Sequence, residues 1–256
     1  MKTHAVVDCS TFRSSCQYCN LYQFCLSTGA SKHDEKANPI YKQCRKIEHG
    51  EYLFREDDPF NNIYAIRTGS VKTCAIIENG SEQVTGFHLP SELLGLNAIS
   101  KGFHTESAIA LETSSVCEIP FERLEELANE KPAIQHLLLN AMSEEIQHDH
   151  YQLTMISRMS AEARLASFLL CISYHFQQRG FSATEFNLSL SRSDVASLLG
   201  LAVETVSRLL SRFQKEGLLC VNRKYFVLSD IEGLKQISPK YSSLPYSSYT
   251  ISNQAS

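Results

Sequence analysis

A chain of 256 residues with 43% hydrophobic and 20% charged side chains has apolar material for real cores, and its length favours two domains while its composition excludes a disordered, collagen-like or supercharged protein. No apolar run approaches the roughly 20 residues of a membrane span and no apolar leader core follows Met1-Lys2-Thr3-His4, so a cytoplasmic protein with no membrane partner is expected. The formal net charge of −4 argues against a nucleic-acid partner for the chain as a whole, but not for any one segment of it.

The nine cysteines are unevenly spread: Cys9, Cys16, Cys19 and Cys25 crowd the start, and Cys44, Cys74, Cys117, Cys171 and Cys220 stand apart. In a reducing compartment such a crowd points to metal ligation more than to disulfides. Cys16 and Cys19 are close enough to reach one centre from one loop, with Cys25 just beyond. A [4Fe–4S] cluster takes four thiolates, which these three do not complete. Structural zinc takes two close pairs, and no second pair follows. Buried unligated thiols are the common fate of isolated cysteines, yet this run is flanked by polar residues. Spacing alone favours iron–sulfur over zinc without deciding between them.

From Ile47 to Pro120 the chain reads as short strands separated by glycine-bearing turns at Gly50, Gly69, Gly80, Gly86 and Gly95. That pattern predicts a β-barrel or sandwich, with Asn79-Gly80 as a hairpin turn. A helical register follows, opened by Pro132. Leu139, Met142, Ile146, Asp149, Leu153 and Ile156 recur at alternating steps of three and four, the spacing of a coiled-coil seam. The competing reading is an amphipathic helix packed on its own domain. Its place between two domains favours a dimer.

A compact unit from about Phe186 to Leu228 then reads as two helices and a β-ribbon. Ser191 and Asp194 mark the first helix start, and Val195, Leu198 and Leu199 are its buried face. Gly200 permits the turn. The second helix is expected to bury Val203, Val206, Leu210 and Phe213 and to present Glu204, Ser207 and Arg208 on one outer surface. A helix-turn-helix offers that part of its second helix to base edges. Arg208 suits guanine, Glu204 cytosine N4, and Ser207 a thymine or phosphate. Cys220 to Leu228 reads as a wing around the basic turn Arg223-Lys224.

Between Asn187 and Leu228, Arg192, Arg208, Arg212, Lys215, Arg223 and Lys224 against Asp194, Glu204 and Glu216 leave +3, on an acidic chain. Basic surface is thus concentrated where a phosphate backbone would lie. The alternative is a plain helical hairpin with solvated charges. From Ser238 on, serine and tyrosine dominate and apolar periodicity is lost, so a mobile tail is expected.

Taken together, Cys16-Gln17-Tyr18-Cys19…Cys25, Ile63-Tyr64-Ala65-Ile66-Arg67-Thr68-Gly69 with Thr85-Gly86-Phe87-His88-Leu89, Leu111 to Phe121, and Leu199 to Leu210 closely resemble the oxygen-sensing FNR branch of the CRP–FNR family of bacterial transcription regulators. The resemblance implies an α+β fold: a β-roll of the cyclic-nucleotide-binding type, a long dimerisation helix and a winged helix-turn-helix. The domain plan it implies is a cluster-binding arm over 1–30, a sensor β-roll over 31–130, the dimerisation helix over 131–158, the DNA-binding domain over 159–235 and a disordered tail over 236–256. It further implies a [4Fe–4S] cluster on Cys16, Cys19, Cys25 and Cys117, the last being the family's distant fourth ligand. Glu204, Ser207 and Arg208 fall on the base-reading positions.

The partners implied are the second subunit of a homodimer, palindromic DNA of TTGAT-like half-sites, and RNA polymerase, with activation of anaerobic genes and repression at some promoters. Thr113 and the Asn79-Gly80 loop lie where polymerase-contacting surfaces occur in relatives. Asp149 on the seam would face its own copy. Cys9 is left unassigned, and Asn20 and Phe24 depart from the best-known cluster flank. The rival from another class is a small-ligand sensor on the same β-roll. Members that bind cyclic nucleotides carry an Arg before a Ser-Ala pair, whereas Glu106 precedes Ser107-Ala108 here, and a carboxylate repels a cyclic phosphate. No catalytic pair or phosphate-cradling glycine loop supports an enzyme.

Overall fold

Among the described residues, eight strands precede the first α-helix: β1 (Gln43–Ile47), β2 (Tyr52–Phe54), β3 (Asn62–Thr68), β4 (Val71–Ile76), β5 (Glu82–His88), β6 (Leu93–Leu94), β7 (Ser107–Ala110) and β8 (Ser114–Pro120). This computed structural model describes residues 43–77 and 80–238; Cys9, Cys16, Cys19, Cys25, Asn79 and the serine- and tyrosine-rich end lie outside them. The strands pair antiparallel in two four-stranded sheets, ordered β1-β8-β3-β6 and β2-β7-β4-β5.

Period-two alternation decides what each strand residue covers. Ile47, Tyr64, Ile66 and Val116 of the first sheet meet Leu53, Phe54, Val71, Ala108 and Ala110 of the second in one buried cluster. The opposite parity, Ile63, Ala65 and Ile119, packs on Leu124, Leu127, Ile134 and Ala141 of the helices that follow. β3 is apolar at both parities because both its faces are covered. Only glycine suits position 69, where φ is +81° and a β-carbon would stand 2.8 Å from the Ser114 backbone.

The helices are α1 (Phe121–Glu130) and α2 (Pro132–Arg158), the latter opening on the proline that the sequence marked. At 27 residues α2 runs for about 40 Å. The chain divides into two compact units with the boundary inside α2, between Met142 and Ser143. On α2, Ile134, Ala141 and Met155 are buried, whereas Leu139 and Ile146 are each 55% exposed, Leu153 66% and Ile156 42%.

The second unit holds α3 (Ala161–Gln178), β9 (Glu185–Asn187), α4 (Arg192–Leu199), α5 (Val203–Lys215), β10 (Leu219–Asn222), β11 (Tyr225–Leu228) and α6 (Ile231–Ile237). Its three strands are ordered β10-β11-β9, and Phe186 on β9 stacks between Phe176 and Phe226. The sequence pattern did not signal α6. Only Ile231, Leu234 and Ile237 are apolar there, too few to establish a helical period, yet Asp230 caps it and Leu234 is fully buried.

His104 is buried in the first unit, stacked on Phe54 at 3.8 Å between ring centres with Phe60 edge-on. Burial holds its imidazole below the ordinary 6.5, against the pull of Asp58 and Glu106. The unfolded chain therefore takes up this proton first as pH falls, so stability should be full above about 6.5 and decline below it. Urea titrations of wild type and His104→Phe between pH 7.5 and 5 should show a decline in the wild type that the variant lacks. Equal slopes would remove His104 as its source.

Candidate functional site

The helix-turn-helix is built by local chemistry. Ser191 accepts from the Asp194 backbone N–H while Asp194 accepts from that of Ser191, a reciprocal box that starts α4. Gly200, at φ +62°, closes it in the left-handed conformation. Val195, Leu198 and Leu199 are buried as expected. On α5, Val206, Leu210 and Phe213 are buried, but Val203 is 39% exposed and Leu209 takes its place in the core. Val203 opens the helix, and the apolar face begins only with Val206.

Glu204 and Arg208 are exposed and Ser207 is half-buried, so the three expected base-reading positions share one outward surface. Arg208 Nη2 donates to Thr205 Oγ1 at 3.4 Å, and Arg192 Nη1 from α4 donates to Ser207 Oγ at 3.4 Å. Ser207, Arg208, Ser211, Arg212 and Lys215 line an open concavity of about 370 Å³. The β10–β11 turn carries Arg223 at φ +57°, and Lys224 Nζ donates to the Ser189 carbonyl at 2.8 Å.

Arg212 corrects the charge reckoning. It ion-pairs with Glu162 on α3 and with Glu216 at 3.1 Å. Glu162 lies outside the segment counted earlier, so Arg212 adds little net positive charge to the surface. That role falls to Arg192, Arg208, Lys215, Arg223 and Lys224. The pairing holds the Glu162 carboxyl below its ordinary range through the hydrogen bond from Arg212.

Sequence reasoning passed over Arg164. From α3 its guanidinium donates to the Met159 carbonyl at 3.1 Å, to that of Leu199 at 3.1 Å, and to that of Ile156. One side chain thus satisfies the carbonyls that end both α2 and α4. An isolated arginine carries no pattern that could have revealed this.

In the β-roll, Cys117 lies on β8 at the parity that faces the helices. It is half-buried and packs against the cluster containing Ile63, Ile119, Ile134 and Ala141. Opposite it on β1 stands Cys44, with the two Sγ atoms 3.5 Å apart. Among the described residues no three histidine, cysteine or carboxylate side chains gather to hold a metal. Of the four expected cluster ligands only Cys117 is described. Its side chain at a helix-flanked sheet face suits a ligand that receives others from elsewhere in the chain, and a set of four cysteine thiols suits iron–sulfur chemistry.

Glu106 is tied into the sheet: its carboxylate accepts from Thr85 Oγ1 and, at 2.8 Å, from Asn97 Nδ2. Thr85 Oγ1 also meets Thr73 Oγ1 at 2.9 Å, and Thr73 meets His88 Nε2 at 3.2 Å. A hydrogen-bonded carboxylate thus stands directly before Ser107-Ala108, where the expected nucleotide-binding pattern has an arginine. Thr113, of the polymerase-surface expectation, donates to Glu48 at an exposed edge.

Residues 44–131 match the family described as cyclic nucleotide-binding domain, and residues 163–237 the Crp-like helix-turn-helix domain. The chain is 44% identical over 222 residues to the transcriptional activator protein anr of Pseudomonas aeruginosa, covering 86% of this chain and 91% of that one. It is 42% identical over 224 residues to the fumarate and nitrate reduction regulatory protein of Escherichia coli, covering 87% and 90%. Among solved structures, FixK2 from Bradyrhizobium japonicum is similar at 28% identity and a TM-score of 0.70, covering 77% of this chain and 96% of that one.

Replacing Arg164 by Met would leave the carbonyls at two helix ends without their charged donor. Hydrogen bonds to charged groups contribute about 1.5–3 kcal/mol each; water replaces the exposed bond and offsets part of the part-buried ones, so a loss of about 2 kcal/mol from the second unit is expected. Chemical denaturation followed through helical circular dichroism measures it. A loss below about 0.5 kcal/mol would deny Arg164 that role.

Proposed function

The chain belongs to the CRP–FNR family of bacterial transcription regulators, and on that footing we propose that it is an oxygen-responsive regulator whose DNA-binding homodimer forms in the absence of oxygen. A helix-turn-helix regulator of this family binds DNA and is not an enzyme. The observation that carries the oxygen reading is the position of Cys117, packed on the same cluster as Ile134 and Ala141 of α2. Whatever Cys117 grips is mechanically next to the start of the long helix.

Cys16, Cys19 and Cys25 are the partners of Cys117, and together the four would hold a [4Fe–4S] cluster. When bound, that cluster supplies a tie that oxygen destroys. Closing the N-terminal arm onto β8 costs chain entropy, which ligation by four sulfurs offsets. Cys117 then stands fixed against Ile134 and Ala141, which biases α2 toward one arrangement.

The stripe Leu139, Met142, Ile146, Leu153 and Ile156 is the surface that two such helices share. Fully burying one large aliphatic side chain contributes about 1.5–3 kcal/mol. The four residues reported above as substantially exposed, doubled by symmetry, supply on the order of 10 kcal/mol. Association costs an estimated 4–15 kcal/mol in lost freedom, so the seam is near balance. Asp149 faces its own copy, and two such charges about 4 Å apart repel by about 1–4 kcal/mol. A term of that size decides between monomer and dimer. In the dimer, Glu204, Ser207 and Arg208 of each subunit read one TTGAT-like half-site of a palindrome, one DNA turn from the other. Contact with RNA polymerase gives activation of anaerobic genes, and occlusion gives repression at others.

Anoxically isolated protein should be brown, hold about four iron per chain, and bind a TTGAT palindrome; Cys117→Ser should lose both iron and binding. Air should weaken binding of the wild type at least tenfold. Iron-free protein, or a colourless one that binds cyclic nucleotide tightly, would overturn the reading. Asp149→Ala should dimerise and bind DNA in air, as read by sedimentation; a variant that stays monomeric in air would remove the charge-repulsion role.

A further inference from the structure

We propose that Cys44 and Cys117 form a peroxide-reactive thiol pair that closes into a cross-strand disulfide whenever Cys117 is not engaged elsewhere. The two are direct partners in the antiparallel register of β1 and β8, so their side chains leave the sheet on the same face. Opposite residues in such a ladder have α-carbons about 4.5–5.5 Å apart, inside the 4.4–6.8 Å span of natural disulfides. Both are thiols here, with Sγ atoms 3.5 Å apart.

A third residue holds the pair in place. Pairing of β3 with β8 steps from Ile66–Val116 to Thr68–Ser115, with Arg67 at the bulge. Arg67 is 6% exposed, and its Nη1 donates to Cys44 Sγ at 3.1 Å. Cys44 is itself 7% exposed while Cys117 is half-buried. The more accessible Cys117 meets the oxidant, and the buried Cys44 resolves it.

The chemistry balances with hydrogen peroxide as the oxidant. Cys117 sulfur attacks one peroxide oxygen; an S–O bond forms, the O–O bond breaks, and the departing oxygen leaves as water. Cys44 sulfur then attacks the resulting sulfenic sulfur; the S–S bond forms, the S–O bond breaks, and a second water leaves. Two thiols lose two electrons and two protons, and one peroxide becomes two waters. A bridged Cys117 has no sulfur to offer a metal until a dithiol reduces it. This consequence rests on the cluster reading above; the bridge itself does not.

The test uses the full chain, metal-free and fully reduced, treated with one equivalent of hydrogen peroxide and mapped by mass spectrometry without reduction. A linked peptide joining Cys44 to Cys117 should dominate the products of Cys117. It should persist when Cys16, Cys19 and Cys25 are all serine, and vanish in Cys44→Ser, where Cys117 should carry oxygen instead. Cys117 joined mainly to another cysteine, or oxidised to sulfinic acid with Cys44 still a thiol, would overturn the proposal. In parallel, the reduced chain is given ferrous iron and sulfide without air. The linked peptide without iron uptake supports the thiol pair while removing the cluster; iron uptake without the linked peptide overturns the pair and leaves the cluster.

Discussion

Leu139, Ile146, Leu153 and Ile156 of α2 are exposed, with no cover from the described residues. The opposite side is already committed: Ile134 and Ala141 are locked into the cluster that also holds Ile63, Ile119 and Leu124. Rotating the helix to hide one side would expose the other. On the proposed reading a second copy of the helix resolves this conflict, since a stripe that repeats by threes and fours is self-complementary across a two-fold axis.

On the same reading that conflict also makes the helix responsive. Burial along the seam and the cost of association are of similar size, so a few kcal/mol suffice to choose a state. A centre held by Cys117, as proposed, would deliver such a bias, because Cys117 packs on the cluster that fixes the start of α2. At the far end, Arg164 clasps the Ile156 carbonyl together with that of Leu199, whose helix precedes the recognition helix. Within the second unit, the end of α2 and the turn between α4 and α5 therefore share one guanidinium. In the β-roll, the Glu106 carboxylate accepts hydrogen bonds from Thr85 and Asn97.

Much of this could be read from the sequence. Pro132, the capping pair Ser191 and Asp194, and Gly200 are local signals whose chemistry acts within a few residues, and the structure has each at its expected place. The exposed apolar stripe was legible because its period of three and four recurs from Leu139 to Ile156. What escaped was non-local. Arg212 counted as positive until Glu162, 50 positions away, was found against it. Arg164 gave no hint of the helix ends it joins. Cys44 looked like one isolated thiol until register set it opposite Cys117. Val203 was placed in the core by its spacing, but a helix's first residue precedes the surface it packs on. The short helix α6 escaped because three apolar residues cannot establish a period.

On the proposed reading, the exposed side of α2 closes against its own copy only when oxygen is absent. Sedimentation velocity on the wild-type protein at micromolar concentration, kept anoxic and then exposed to air in the same cell, tests it directly. The account predicts a particle of twice the chain mass before air and of one chain mass after it. A single mass unchanged by air, whether of one chain or two, would contradict it.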